Sequence, residues 1–177
     1  MLEIEDVPEQ ADQAVRKKSL IRHEGYFRKN GALRIEHLTH PVQILEHIEE
    51  LFDQHIARWA PTNHPSLFLN EKQRLFYSEL IHRLGGTGWL TLTRILWNES
   101  PIALHFGFDY KGSFLWYKPS FEIALAKHSP GEVLLRQLLL NAIVKNARRF
   151  DFGLGDEAFK SRFANSSRTV VTLGIYP

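Results

Sequence analysis

The sequence predicts an α/β (α+β) domain in which a mixed central sheet of about six strands is flanked by helices. Three observations lead there. The chain has 177 residues, comfortable for one core and short for two ordinary domains. Its apolar periodicity alternates between strand-like and helix-like runs, in the order β-α-α-β-β-β-α-β-α-β from residue 32. A meander of three strands, a crossover helix and a further strand requires a mixed sheet with helices on both faces.

Each element has a local cause. Residues 1–12 hold acids and no base, and Arg16, Lys17, Lys18, Arg22, Arg28, Lys29 and Arg34 then face only Glu24. From Glu9 the pattern reads as one helix, closed by the turn pair Asn30-Gly31. Its thin apolar stripe (Ala14, Leu20, Ile21, Tyr26, Phe27) describes a solvated helix packed loosely on the domain, with a nucleic-acid arm or a partner surface as the alternatives. Residues 1–31 are thus expected to form a helical extension and residues 32–177 the domain proper. Residues 32–38 alternate as a strand. Thr39 is placed to cap, and Pro41 to open, a helix that runs to Trp59. Asn70 caps a second helix, with Leu75, Phe76, Leu80, Ile81 and Leu84 as its apolar stripe and Gly85, Gly86 and Gly88 at its end. Strands follow at Trp89–Trp97, Ile102–Tyr110 and Ser113–Pro119, the last two joined by the tight turn Lys111-Gly112. Ser129 caps and Pro130 opens a strong helix to Ala147. Residues 149–153 make a short strand, 155–163 a short helix, and 169–176 a last strand.

Composition excludes several classes of function. Twelve Phe, five Tyr and four Trp need burial, which rules out disorder over most of the chain. A net charge of +2 does not favour wrapping nucleic acid. The lack of Cys removes disulfides, thiolate metal sites and a Cys nucleophile. The nine His show no ligand spacing, so no metal is expected. No apolar run reaches the ~20 residues of a membrane span, and the acidic start is unlike a signal peptide, so a cytoplasmic location is expected. Neither GxSxG nor GxxxxGK(S/T) occurs, which argues against α/β-hydrolase and P-loop chemistry.

Four features carry candidate chemistry. The run Lys127-His128-Ser129-Pro130-Gly131-Glu132 joins a strand to a long helix, whose unpaired amides and positive dipole end suit a phosphate; Gly131 lets it approach the backbone. An ordinary capped helix start, with Glu132 closing a capping box, explains the same residues. Between Lys127 and Arg168 eight bases face four acids, an excess that suits an anionic ligand or a scattered solvated face. In Phe150-Asp151-Phe152-Gly153-Leu154-Gly155-Asp156-Glu157, with Lys160 beyond, a carboxylate sits in or beside a strand and two glycines permit close approach. Asp151, Glu157 and Lys160 can orient a substrate or relay a proton; a structural ion pair accounts for them equally. His105 and Asp109 share a face of the middle strand, four residues apart and too distant to touch; His105 reads as a packing residue or as a base in a cleft.

The element order resembles the GNAT acetyltransferase fold, and the run from Gly88 to Lys160 resembles its CelD-like, cellulose-biosynthesis-type branch, related to FemAB-type transferases. The matching residues are Trp59, Gly88-Trp89-Leu90, Pro101-Ile102-Ala103, Ser129-Pro130-Gly131 before Leu134-Leu135, Asp151-Phe152-Gly153, Gly155-Asp156-Glu157 and Lys160. The resemblance implies acyl transfer from acetyl-CoA or another acyl-CoA, used as co-substrate, to an amine or hydroxyl of a small molecule, sugar or envelope-related acceptor. It implies that strands 113–119 and 149–152 splay to admit the pantetheine arm. The diphosphate would then lie at His128, Ser129, Pro130, Gly131, Glu132 and Val133, and amides around Lys118, Ser120 and Phe121 would polarise the thioester carbonyl. Two departures stand out. A single Gly131 remains where the usual loop reads Q/R-x-x-G-x-G/A. Phe159 occupies the Tyr place of D-E-x-Y-K, so Tyr117 or Tyr110 would act as the acid. Members of the branch often carry a second GNAT-like half, which makes such a half, or a homodimer, an expected partner. The alternatives are a FemAB-like aminoacyltransferase using aminoacyl-tRNA, with residues 16–34 as its basic surface, and a non-catalytic GNAT-fold binding module.

Overall fold

A computed structural model describes residues 1–174. In chain order the elements are β1 (Leu2–Glu3), α1 (Pro8–Val15), α2 (Lys18–Asn30), β2 (Leu33–Leu38), α3 (Pro41–Trp59), α4 (Glu71–Leu84), β3 (Leu90–Trp97), β4 (Ser100–Tyr110), β5 (Ser113–Phe121), α5 (Pro130–Val144), β6 (Arg149–Asp151) and α6 (Ala158–Ser161). The sheet order is β1-β6-β5-β4-β3-β2. Every neighbouring pair is antiparallel except β5 and β6, which the α5 crossover makes parallel.

The meander follows from its turns. Asn98 and Glu99 both have positive φ, as do Lys111 and Gly112, so each hairpin closes on a two-residue turn whose twist matches the strands. The first connection is therefore shorter than its Pro and Ser suggest, and β4 begins at Ser100. The strand β5 continues past Pro119 to Phe121.

Helices cover both faces. On one, α3 turns Ile44, Ile48, Leu51, Phe52 and His55 onto the sheet, and α4 adds Tyr77 and Ile81. The stripe expected on α4 is rotated: Leu75 and Phe76 are exposed while Tyr77 is buried. The rings of Phe52, Phe68 and Phe106, 5.1–5.9 Å from that of Tyr77, form the aromatic nest that selects it. Asn70 caps α4 as expected, its Oδ1 accepting from Lys72 N at 3.0 Å. The residue that caps α3 is His40 rather than Thr39, with no side-chain capping bond.

On the other face α5 buries Val133, Leu134, Leu135, Leu138, Leu139 and Ala142. Removing one such leucine side chain costs about 2–5 kcal/mol. The N-terminal segment belongs to this layer. It forms two helices that break near Arg16 and Lys17, and its Leu20 and Phe27 are completely buried against α5 and the sheet. Glu24 is buried too, bonded to Arg28 at 2.7 Å, Gln137 at 2.7 Å and Arg136. The loose solvated helix of the sequence reading is thus part of the core. Two of its basic residues are paired, Arg16 with Asp12 and Arg28 with Glu24, and Arg34 in β2 pairs with Glu36 and Glu99.

The sheet has six strands, but the sixth is β1, paired Leu2↔Phe150 and Glu3↔Arg149. Residues 169–174, expected to open the last strand, carry no strand, and residues 175–176 of that expectation lie outside the described residues.

Candidate active site

The strands β5 and β6 pair at three positions only, Ser113↔Arg149, Phe114↔Phe150 and Leu115↔Asp151. There β6 stops. Asp151 Oδ1 accepts the Gly153 amide at 2.9 Å, and Gly153 and Gly155, at φ +74° and +103°, turn the chain aside. With β5 running on to Phe121, the edge of its second half faces a cavity of about 930 Å³. One wall is the last turn of α3 (His55, Arg58, Trp59), another the start of α5 (Ser129, Gly131, Glu132), a third the loop at Gly153-Leu154 with Glu157 and Lys160.

A bulge in β5 prepares this edge. Phe106 pairs with Lys118 and Phe108 with Leu115, so Trp116 and Tyr117 together oppose Gly107. The displaced Tyr117 amide donates to His105 Nε2 at 3.0 Å. His105 is fully buried, with Phe114 and Trp116 stacked at 5.8 and 5.2 Å. Burial, and secondarily His37, push its pKa down to about 3, so the ring is neutral with its proton on Nδ1. It does not line the cavity, and the reading of His105 as a base in the cleft gives way to a backbone anchor. Gly107 is required beside it: a Cβ there would lie 2.2 Å from His105 Cε1 and 2.7 Å from the Leu115 carbonyl oxygen. Asp109 is also outside the cavity, paired with Lys145 at 3.5 Å.

The start of α5 differs from a standard cap. Ser129 adopts a left-handed conformation, with φ +56°, and makes no side-chain capping bond. The capping box does not form, because Glu132 binds His23 at 2.9 Å and Arg162 at 2.8 Å. His128 stacks on Tyr26 at 3.7 Å and, like the buried Pro130 and Val133, stays off the cavity lining. Gly131 lines it, and a Cβ there would lie 3.1 Å from the Phe121 ring. The glycine therefore serves ring packing as well as access.

Lys118, Ser120 and Phe121 line the cavity. Pro119 in their midst has no amide to offer, and its carbonyl accepts from Arg58 at 3.1 Å. Tyr117 lines the cavity, its hydroxyl accepting from Tyr77 at 3.3 Å; Tyr110 instead packs on Trp89. Glu157 and Lys160 form a 2.6 Å pair that holds the Glu157 carboxyl below its ordinary range. Lys160 is buried, its Nζ near the carbonyls of Gly153, Leu154 and Gly155, so it ties down the loop. Asp151 faces an adjoining recess shared with Glu157 and Lys160.

The sequence reading missed His55 and Arg58, and gave Trp59 no site role. His55 Nδ1 meets Ser66 Oγ at 2.8 Å, and its pKa is pushed down to about 4 by burial, then by Lys118 and Arg58. Burial likewise lowers Arg58. Their i, i+3, i+4 spacing puts them on one helix face, but only the continuation of β5 beneath them turns that face into a wall.

No group of three or more His, Asp or Glu able to hold a metal ion occurs among the described residues. No helix there is long and apolar enough to cross a membrane.

A model of the acetyltransferase (GNAT) domain family matches residues 14–161. The chain belongs to that family. No curated protein matches it. Among solved structures it is similar to the aminoglycoside acetyltransferase meta-AAC0020 from an uncultured soil metagenomic sample. The complex of that protein with sisomicin aligns at TM-score 0.54 and 13% identity, over 82% of this chain and 96% of that one. Its complex with trehalose aligns at 0.52 and 11%, with the same coverage. The six-stranded sheet is that of a GNAT fold.

Proposed function

We propose that the protein is an acyl-CoA-dependent N- or O-acyltransferase, of the CelD-like branch and cytoplasmic, acting on a small-molecule or sugar acceptor. The family supports acyl transfer, and the structural neighbour is an aminoglycoside acetyltransferase. The observation that carries the reading is the six-residue stretch of β5, Trp116–Phe121, left without a β6 partner beside the start of α5.

The residues present fit the co-substrate. The open edge gives an extended amide-containing arm a strand to lie along. The left-handed turn at Ser129 and the small Gly131 leave the helix start approachable. Acyl-CoA supplies an activated thioester; the rest falls to this chain. The acceptor nitrogen or oxygen attacks the carbonyl carbon, a C–N or C–O bond forms, the C–S bond breaks, and the thiolate leaves with the electron pair. His55, neutral and held through Nδ1 by Ser66, takes the proton lost by the nucleophile on Nε2. Tyr117 gives its proton to the thiolate. Pro119 has no amide, which leaves those of Lys118, Ser120 and Phe121 as the backbone donors to polarise the carbonyl. Glu157 and Lys160 fix the loop that borders the gap, and Asp151 anchors its start.

Calorimetry with acetyl-CoA tests the reading. Micromolar binding is expected, weakened by Gly131→Trp with the thermal midpoint of that variant checked in parallel. A folded protein that binds no CoA species overturns it in favour of a non-catalytic module; binding of aminoacyl-tRNA instead points to the aminoacyltransferase alternative.

A further inference from the structure

We infer that the α3 side of the cavity receives an acceptor that carries a carboxylate beside its nucleophilic amine or hydroxyl, held by Arg58 and Lys118. The inference rests on the acyl-transfer reading and names the acceptor class of that reaction.

The first ground is charge. Both acids lining the cavity are already paired, Glu132 with His23 and Arg162, and Glu157 with Lys160. Arg58 and Lys118 have no carboxylate within salt-bridge distance among the described residues. The Arg58 guanidinium lies 4.2 Å from the Phe121 ring centre and donates to the Pro119 carbonyl; Lys118 Nζ lies 4.9 Å from the Tyr117 ring centre. Aromatic faces attract these cations without neutralising them. A half-buried guanidinium with no counter-ion is an arrangement that a bound anion favours.

Unused hydrogen-bonding groups supply the second ground. Ser120 Oγ, on a completely buried residue that lines the cavity, has no partner, and neither has Trp59 Nε1. Buried polar atoms of folded proteins are almost always satisfied, so two orphans in one wall indicate a polar group that completes them.

Placement on the sheet is the third. Ser120 and Lys118 pair with Leu104 and Phe106, whose side chains belong to the α3–α4 layer. Phe121 pairs with Ala103 and packs with the α5 layer, against Gly131. Lys118 and Ser120 therefore lie on the sheet face opposite the helix start, while the Arg58 guanidinium, 4.2 Å from the Phe121 ring, sits between the two at the gap. A diphosphate at the helix start leaves Lys118 and Ser120, on the other face, to the acceptor, with Arg58 within reach of that face across the gap. A polyamine entering there meets two unpaired cations and no unpaired acid.

The test measures acetyl transfer to matched pairs, α-amino acids and aminouronic acids against their carboxamides, with spermidine as a polycation. Carboxylates are expected to exceed carboxamides by about tenfold or more in kcat/KM, with spermidine poorest. Arg58→Met and Lys118→Glu should raise the acceptor KM and bring each pair towards parity, while acetyl-CoA affinity by calorimetry stays within about twofold. Equal or faster transfer to carboxamides or spermidine overturns the inference and leaves acyl transfer standing. Variants that weaken acetyl-CoA binding about tenfold with the acid preference intact overturn it too, assigning both cations to the co-substrate phosphates. If no pair turns over, saturation-transfer NMR on the same compounds decides: carboxylates that bind no better than carboxamides overturn it. Failure to bind acetyl-CoA at all overturns the acyl-transfer reading itself.

Discussion

His105 Nε2 accepts the backbone amide of Tyr117 across the β4–β5 bulge at 3.0 Å, so a buried neutral imidazole fixes the strand edge that borders the cavity. Without it the Tyr117 amide is a buried donor with no acceptor, and the register between β4 and β5 loses its pin. His105→Leu should cost about 1–3 kcal/mol of stability by urea denaturation. Acetyl-CoA affinity should fall with it, because the edge that cradles the arm is no longer held. Gln, which can present an acceptor at similar reach, should restore part of both. A Leu variant that binds acetyl-CoA as well as the parent would show that the bulge holds itself.

The same histidine dictates an acid limit. Its pKa falls from 6.5 to about 3 on folding, so between those values the unfolded chain takes up a proton that the folded protein refuses. Its contribution is fully present above about pH 6.5 and declines on acidification, by up to about 1.4 kcal/mol per pH unit. His55, held at about 4, acts in the same direction from 6.5 down to that value. Urea midpoints at pH 7, 6 and 5 should therefore fall in sequence, and less steeply in the His105→Gln variant. A flat response between pH 7 and 5 contradicts buried neutral imidazoles.

What the sequence disclosed, and what it hid, divides by range of interaction. Lys111-Gly112 marked a tight turn, Asn70 a cap, and the three- and four-residue spacing from Ile44 to Phe52 a buried face, because each signal is local. The pairing of Leu2 with Phe150 was not legible: two residues hold no periodicity, and their partner lies at the far end of the chain. Nor was the turning of α4 onto Tyr77, which depends on rings from α3, β4 and the 3₁₀ turn at Leu67–Leu69. The capping box at Glu132 failed for the same reason, outbid by His23 and Arg162. Of the residues that line the cavity, Tyr117, Lys118, Gly131, Glu157 and Lys160 stood out in the sequence. The wall of His55 and Arg58 was not, since a helical histidine and arginine look the same whether they face solvent or a cavity.

Glu24 shows how far the N-terminal helices are built into the fold. Its carboxylate, almost completely buried, serves Arg28, Arg136 and Gln137 at once, and Arg136 also donates to the Val15 carbonyl at 2.9 Å. Glu24→Ala strands a guanidinium and an amide between α2 and α5 and should destabilise by roughly 3 kcal/mol. Glu24→Gln, which keeps one of the two acceptor oxygens and loses the charge, should cost less than the Ala change. Denaturant midpoints for the two variants check this. A loss below about 0.5 kcal/mol for the Ala variant would return the segment to the solvated surface.

Tyr117 is the remaining candidate acid, and its neighbour leaves its O–H free to point away from the pair. Burial, and then the bond to Tyr117, push Tyr77 ionisation far above the ordinary phenol range, so Tyr77 stays protonated and acts as the donor in the 3.3 Å contact. Tyr117 accepts from it, so its own hydroxyl hydrogen is not used in that bond and can be directed into the cavity it lines. Tyr117→Phe should lower kcat by about a hundredfold with acetyl-CoA affinity unchanged, since the ring remains. Tyr77→Phe removes only the supporting bond and should cost about 1 kcal/mol of stability, with kcat changed by less than about threefold. Single-turnover release of free thiol separates the chemical step from product release. Full activity in Tyr117→Phe would assign protonation of the thiolate to solvent. Equal losses in both variants would make the pair a packing unit with no proton to transfer.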